Sequence, residues 1–404
     1  MFLCLQKREG CRDIEAIMKS PYHYKLGWKR FLAGVFDVFG GAVFFLVRKF
    51  VKAPEVKDIK KILVIRADHI GDVVMTRPAI RSLHKKFPHA EIDLLVDGKI
   101  APLFEDSSKF HQVLKIHHSW FSPEKNFGAK WREFWRLKRF LTKIGYDVAF
   151  DFRGDVRHIL LMALCHIPYR YGFGVTGGGF LLTENTPYDD SIHQVLLNLS
   201  LLKSFQTPQD NKLLPFEYTR ERAATFWKNI GEISLATDLP RVVIHMGAGT
   251  AAKRWGTDDY RALIHQLDSG NRAQMILIGT ESERELLSDL KLNTAHLIDL
   301  RGRTRIEDLP ILFDVCDLYV GADSGPAHIA AAHGLEIILL ASGTNDIRFW
   351  YPWTEHLHIL QHEVPCAPCG LRVCPVEGHP CMSEISVDQV YDAVEGVLKK
   401  FKNR

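Results

Sequence analysis

Five clusters of the 404-residue chain hold residues that could make bonds or grip charge. Asp72 comes first, within KILVIRADHIGDVVMTRPAIRSL (61–83). A carboxylate just after a glycine, at the opening of a helical segment, can cap that helix or serve a ligand in front of it as a general base. The second cluster is the loop HMGAGTAAKRWG (245–256). Its glycines and small residues let backbone N–H groups approach a ligand, and Lys253 and Arg254 add fixed positive charge, as a phosphate cradle requires. The third is GADSGPAHIAAAHG (321–334), where Ser324 can cap a helix and Pro326 suits its first turn. Free N–H groups and the helix dipole make such a start an anion site; a tightly packed structural turn would look the same.

Asp323, at the head of that third cluster, narrows the chemistry. A carboxylate beside a diphosphate is repelled unless a metal intervenes or sugar hydroxyls donate to it. No further acids crowd the sequence there, which favours hydroxyls over a Mg²⁺ site. In the fourth cluster, GTESERE (279–285), Glu281 or Glu283 follows a strand as a ribose-binding acid does, or merely opens a helix. The fifth is CAPCGLRVCPVEGHPCM, with Cys366, Cys369, Cys374 and Cys381. Their C-x2-C-x4-C-x6-C spacing suits either a structural metal site or reduced thiols packed in a compact loop.

These clusters need strands and helices to present them. The run Ile62–Ile65 is apolar and rich in β-branched residues, as a buried parallel strand is. Further strands are expected at 91–96, 111–117, 146–152 and near 168–173, with helices over 155–165 and 193–205. A linker falls within 202–217, where two prolines and polar residues gather. A second alternation then predicts strands at 241–247, 273–279, 296–300, 317–323 and 336–341. Helices are expected over 257–267, 282–290, 305–316, from about Pro326, and over 386–401. The chemical clusters fall at the carboxyl ends of these strands, where ligands bind in doubly wound sheets. Two α/β units facing across a cleft follow, divided as 58–212 and 213–404, after an extension over 1–57.

Composition is globular, with 46% hydrophobic and 25% charged residues. The net charge of +4 is uneven: residues 1–60 carry 12 Lys/Arg against 6 Asp/Glu, leaving the remainder slightly acidic. That argues against a nucleic-acid-binding globule and for an N-terminal segment that meets an anionic surface. Scattered single cysteines (Cys4, Cys11, Cys165, Cys316) fit a reducing cytoplasm. FLAGVFDVFGGAVFFLV (31–47) is short for a bilayer span, and Asp37 and Gly40–Gly41 interrupt it. It reads first as an interfacial helix with basic flanks, and otherwise as a helix packed on the first domain or as a span. The helix expected over 125–143 carries seven Lys/Arg and several aromatics, with Phe134, Leu137, Leu141 and Ile144 on one face. Its basic face is either solvated or turned to an anionic surface.

As a set, the motifs resemble glycosyltransferase family 9, the lipopolysaccharide core heptosyltransferases, over about residues 60–400. ILVIRADHIGDVVMTRPAI is similar to the family's strand and Gly-Asp pair, which implies Asp72 as the catalytic base. KRW (253–255) matches its phosphate-binding Lys followed by Trp, implying Lys253, with Arg254 a neighbour. DSGPAHIAAAHG matches Asp-(Ser/Thr)-Gly-x-x-His and implies Asp323, Ser324, Gly325 and His328 as donor contacts. Position alone implies Glu283 for the ribose and Thr304 beside the base. Where some members carry a threonine pair, this chain has Ala248–Gly249 and then Thr250, so Gly249 and Thr250 are the implied loop contacts. The cysteine loop's Cys-x-Pro-Cys start recurs in many members, whereas residues 1–57 match nothing in the family.

The resemblance implies a GT-B fold of two Rossmann-like domains with a central cleft. It also implies inverting transfer of heptose from ADP-heptose to a lipid A-Kdo acceptor at the cytoplasmic face of the inner membrane, with no cofactor. Arg66, Arg77 and Arg153, near strand ends of the first domain, are candidates for acceptor phosphates or carboxylates. Two other readings compete: another GT-B nucleotide-sugar enzyme, such as a 2-epimerase, and a non-catalytic membrane-associated binding protein.

Overall fold

Strands that are apolar along their whole length belong in parallel sheets covered on both faces, and this chain folds two of them. The computed structural model describes residues 22, 27–48, 58–116, 127–207, 210–231, 235, 239–287 and 296–401. Cys4, Cys11 and the end of the helix expected over 282–290 lie outside the described residues.

Helix α1 (Gly27–Arg48) precedes the first sheet. Then follow β1 (Lys61–Ile65), α2 (Ile70–Lys86), β2 (Glu91–Asp97), β3 (Gln112–Ile116), α3 (Phe127–Ile144), β4 (Val148–Asp151), α4 (Val156–Leu164), β5 (Tyr169–Gly172) and β6 (Glu184–Asn185). Helices α5 (Gln194–Ser200) and α6 (Arg220–Ile230) flank the crossing to the second unit. That unit holds β7 (Arg241–His245), α7 (Thr257–Ser269), β8 (Gln274–Ile278), α8 (Glu281–Arg284), β9 (Leu297–Asp299), α9 (Leu309–Phe313), β10 (Leu318–Ala322), α10 (Gly325–Ala332), β11 (Glu336–Ala341), α11 (Ile347–Trp350), β12 (Leu357–Gln361), α12 (Pro380–Ser383) and α13 (Val387–Phe401).

The sheets share one topology. Their orders are β3-β2-β1-β4-β5-β6 and β12-β11-β10-β7-β8-β9, parallel throughout. In each, the strand order reverses beside the central pair, β1/β4 in one and β7/β10 in the other. Connections leave such a pair in opposite directions and open a crevice at the carboxyl edge. Residues 66–72 and 152–153 therefore edge the first crevice, and 246–256 and 323–328 the second.

Alternate residues of β1 serve opposite faces. Leu63 and Ile65 pack with Phe134, Leu141, Ile159 and Leu182, while Ile62 and Val64 join a core continuing through Ile311 and Ala327 to Ile329 of the second unit. The two units thus share apolar packing.

Several expectations are corrected in detail. The helix expected over 193–205 is α-helical only to Ser200, with a 3-10 turn over Lys203–Phe205. The one expected over 305–316 splits into a 3-10 turn (Ile306–Asp308) and α9, the break falling next to Pro310. Helices α6, α11 and α12 and strands β6 and β12 were not anticipated; β12 is a half-exposed edge strand with no continuous apolar run.

Helix α1 shows why its apolar run contains Asp37 and Gly40. Asp37 accepts hydrogen bonds from the Gly178 amide (2.6 Å) and the Tyr22 hydroxyl (3.0 Å). A Cβ on Gly40 would collide with the Phe180 ring. The apparent interruptions are thus the face that docks on the first domain, while Trp28, Phe31, Leu32, Val38 and Phe39 stay more than half exposed. Among the described residues no helix is long and apolar enough to cross a membrane. Overpacking costs ~1–3 kcal/mol, so Gly40→Ala should speed amide exchange in α1 about 5- to 150-fold and leave β1–β6 protected. Unchanged exchange in α1 would refute this docking.

Candidate functional site

The two crevices meet in one cleft of ≈ 470 Å³. Asp72, His69, Gly71 and Met75 line it from the first domain, and Gly249, Thr250, Lys253, Asp323, Ser324, Gly325, His328, Asn345, Trp350 and Arg372 from the second. Two helix starts form its floor. A Cβ on Gly71 of α2 would lie 2.7 Å from the His328 ring, and one on Gly325 of α10 would lie 2.8 Å from Ile70. Only glycine allows that approach.

Asp72 lies in the first turn of α2 but is not its cap: the cap position is His69, and no side chain caps the helix there. The Asp72 carboxylate is held from two sides. Arg66 Nη2 donates to Oδ1 at 3.0 Å, and His69 Nδ1 lies 3.3 Å from Oδ2. Arg66 is itself buried and also donates to the Phe152 carbonyl. Its Nε lies 3.0 Å from Asp68 Oδ1, so one guanidinium is shared by two carboxylates. Burial works to raise Asp72, but Arg66 and His69 overcome it and bring the carboxyl down to about 2. Burial wins at Asp68, against the pull of Arg66, and pushes it up to about 6. The hydrogen bond to Asp72 raises His69 in turn.

Across the cleft, Lys253 Nζ lies 2.5 Å from Asp323 Oδ2, which also accepts from Asn345 Nδ2 at 3.1 Å. Burial pushes Asp323 up, and His328 and Lys253 together hold it below the ordinary carboxylate value. Ser324 Oγ lies 3.3 Å from both His245 Nδ1 and the Tyr319 hydroxyl. Burial lowers His245 to about 4, so this ring is neutral near pH 7. Two buried polar atoms of cleft residues, Thr250 Oγ1 and His328 Nδ1, have no hydrogen-bond partner among the described residues. Unpaired buried groups are costly, and a bound ligand is one way to satisfy them.

Other predicted residues lie off the cleft lining. Lys253, Arg254 and Trp255 point three ways: Lys253 into the cleft, Arg254 outward, and Trp255 into the core, its indole donating to the Ile385 carbonyl at 2.8 Å. Glu283 sits behind the glycine loop, accepting from the Thr280 amide at 2.7 Å and leaving no room for a side chain at Gly247. Thr304 is half-buried in the turn after β9. Arg153 reaches back to the Ala67 carbonyl (3.4 Å) and to Asp68 (4.0 Å). Arg77 lies elsewhere: it donates to the Leu214 and Pro215 carbonyls at 2.6 and 2.9 Å and stacks on Phe216. It grips the interdomain linker and faces a separate pocket.

Among the described residues no three His, Cys, Asp or Glu side chains are arranged to hold a metal ion, and the described cysteines form no disulfide. Sequence reasoning missed His69, Asn345, Trp350 and Arg372. His69 and Asn345 were findable, each following the carboxyl end of a parallel strand, β1 and β11; nothing local marks Arg372, inside the cysteine loop.

Residues 134–379 match the family model for glycosyltransferase family 9 (heptosyltransferase). A lipooligosaccharide heptosyltransferase 2 of Campylobacter jejuni is 23% identical over 84% of this chain and 98% of its own length. The lipopolysaccharide heptosyltransferase 3 of Escherichia coli K12 is 27% identical over 71% of this chain and 83% of its own length. Among solved structures, the E. coli ADP-heptose LPS heptosyltransferase II superposes with a TM-score of 0.68 at 22% identity, covering 85% of this chain and 99% of that one, which establishes the GT-B fold. With its family motifs gathered on one cleft, this chain belongs to glycosyltransferase family 9, the heptosyltransferases.

Proposed function

We propose that the protein transfers heptose, with inversion, from ADP-heptose to a lipopolysaccharide inner-core (lipid A-Kdo) acceptor, with Asp72 as general base. The observation carrying this reading is that Asp72 and the Lys253–Asp323–Ser324 group face one another from different domains across a single cleft. Inversion needs the acceptor hydroxyl in line with the anomeric carbon, opposite the departing diphosphate. A base on one wall and a phosphate site on the other meet that need.

The acceptor proton would pass to Asp72 Oδ2, the oxygen Arg66 does not hold, as the new C–O bond forms and the bond to the diphosphate breaks. Lys253 and the N–H groups opening α10 would stabilise the negative charge that builds on ADP. The orphan Thr250 hydroxyl is suited to a phosphate oxygen, Asp323 to sugar hydroxyls, and Gly249, Gly325, His328, Glu283 and Thr304 to the remainder of the donor. Arg254, exposed beside Lys253, adds only distant positive charge. Arg66 and Arg153 would serve the acceptor side indirectly, by fixing Asp72 and the loop behind it.

The acceptor is lipid-linked, and the first domain has a matching surface. Trp131, Trp135 and Phe140 are exposed on α3 among Lys/Arg residues. Helix α1 displays its aromatic face nearby, joined through Phe180 and Leu181 to the core under α3 and α4. Exposed aromatics interleaved with cations suit the interface of an anionic leaflet, so the enzyme would work as a peripheral protein on the cytoplasmic face of the inner membrane.

Removing the base should cost about 10²- to 10⁴-fold in kcat: Asp72→Asn is expected to lose turnover and keep ADP affinity, and near-full turnover would exclude the base assignment. Asp72 stays ionised down to about pH 2, so loss of rate on acidification must come from another group. Protonated His69 occupies Oδ2, hence rate should rise as pH climbs through the raised His69 value; a pH profile unchanged in His69→Ala would contradict this. On vesicles containing anionic lipid, deletion of residues 1–57 should reduce flotation, and Trp131→Ala with Trp135→Ala should reduce it further. Equal flotation of all forms would reject the membrane surface.

A further inference from the structure

Among the described residues that line the cleft, one cation stands without an anion. Asp72 is matched by Arg66 and His69, and Asp323 by Lys253. Arg372 lines the same cleft, is exposed, and has no carboxylate within ion-pair distance among the described residues. A nucleoside diphosphate carries more negative charge than Lys253 can balance while it also serves Asp323. From these observations we infer that Arg372 is a second cationic ligand of the donor's diphosphate, and that the cysteine-rich loop is the part of the donor site that presents it. The inference rests on the donor reading above.

The backbone places Arg372 on the donor side. Its carbonyl accepts from the Ala252 amide at 3.0 Å, one residue before Lys253. From the same loop, His379 Nε2 lies 3.1 Å from the Ala252 carbonyl, so both backbone groups of Ala252 are tied to the loop. At its other edge the loop is stitched to the turn after β11: the Cys369 amide donates to the Gly343 carbonyl and the Gly370 amide to the Thr344 carbonyl, each at 2.9 Å. Asn345, next along that turn, donates to Asp323. Cys381 then anchors the loop in the core of the second domain, beside Gly343. The loop therefore bridges the strand ends carrying Lys253 and Asn345, and Arg372 projects where both meet the cleft. An acceptor anion held by the first domain would lie across the cleft from this tether. Arginine's planar fork suits two phosphate oxygens at once, which lysine cannot match.

Calorimetric titration of ADP and of adenosine into the full-length protein and its Arg372→Ala, Arg372→Lys and Lys253→Ala forms tests this. A charge-assisted contact predicts about tenfold weaker ADP binding for Arg372→Ala, partial recovery in Arg372→Lys, and unchanged adenosine binding. ADP affinity within twofold of wild type would overturn the inference. So would equal losses for ADP and adenosine, which mark a distorted loop. If wild-type protein binds no ADP, or Lys253→Ala leaves ADP binding unchanged, the donor reading itself fails. Loss in Lys253→Ala with none in Arg372→Ala removes only the role of Arg372.

Discussion

Two helix starts, one from each domain, press together at Gly71 and Gly325 so closely that neither position has room for a side chain. The positive ends of α2 and α10 thereby open on the same cleft. Like poles repel, and the chain answers with a carboxylate at each: Asp72 in the first turn of α2 and Asp323 just before α10. The same arrangement leaves N–H groups and positive potential for an anionic ligand between them. Fold and chemistry thus depend on one close contact. A wider approach would part Asp72 from Lys253, and a tighter one is barred by Ile70 and His328.

Asp68 and Asp72 share Arg66 and come out differently. One guanidinium serves both, with opposite outcomes: burial prevails at Asp68 and the ion pairs prevail at Asp72. The difference lies in position. Asp72 also accepts a hydrogen bond from His69 and borders the cleft, whereas Asp68, beyond Arg66, has only the weaker charge effects of Arg153 and His69 to offset its burial. A carboxylate with one oxygen pinned by a buried cation and the other turned to a cavity is pre-aimed, and most of what a base contributes beyond its proton affinity is aim.

Much of this was legible in the sequence. Apolar runs of strand length located nearly all the parallel strands, and the rule that ligands gather at their carboxyl ends drew attention to Asp72, Lys253 and Asp323 before any contact was known. The misses have a common physical cause. Arg77 sits about 1.4 turns beyond Asp72, and that rotation carries it from the cleft to the linker, where carbonyls and Phe216 claim it. Arg372 enters the site through backbone hydrogen bonds between segments over a hundred residues apart, which no local spacing encodes. In α1, Asp37 and Gly40 resemble flaws in an apolar helix because their partners, Gly178 and Phe180, lie far along the chain.

Lys253 and Asp323 form an ion pair inside the cleft. At 2.5 Å and largely buried, it spares each group an unpaired charge, whose burial is far costlier than a surface ion pair is worth. A donor bound as proposed would have to replace that pairing with something at least as good. A diphosphate beside Lys253 and sugar hydroxyls beside Asp323 would do so together, whereas a bare anion would satisfy the lysine and leave the aspartate facing like charge. Asn345 already donates to that aspartate and cushions the exchange. On the proposed donor reading, discrimination between a nucleotide sugar and a free nucleotide would follow from electrostatics: an aspartate paired with the lysine would favour ligands that bring hydroxyls along with their phosphates.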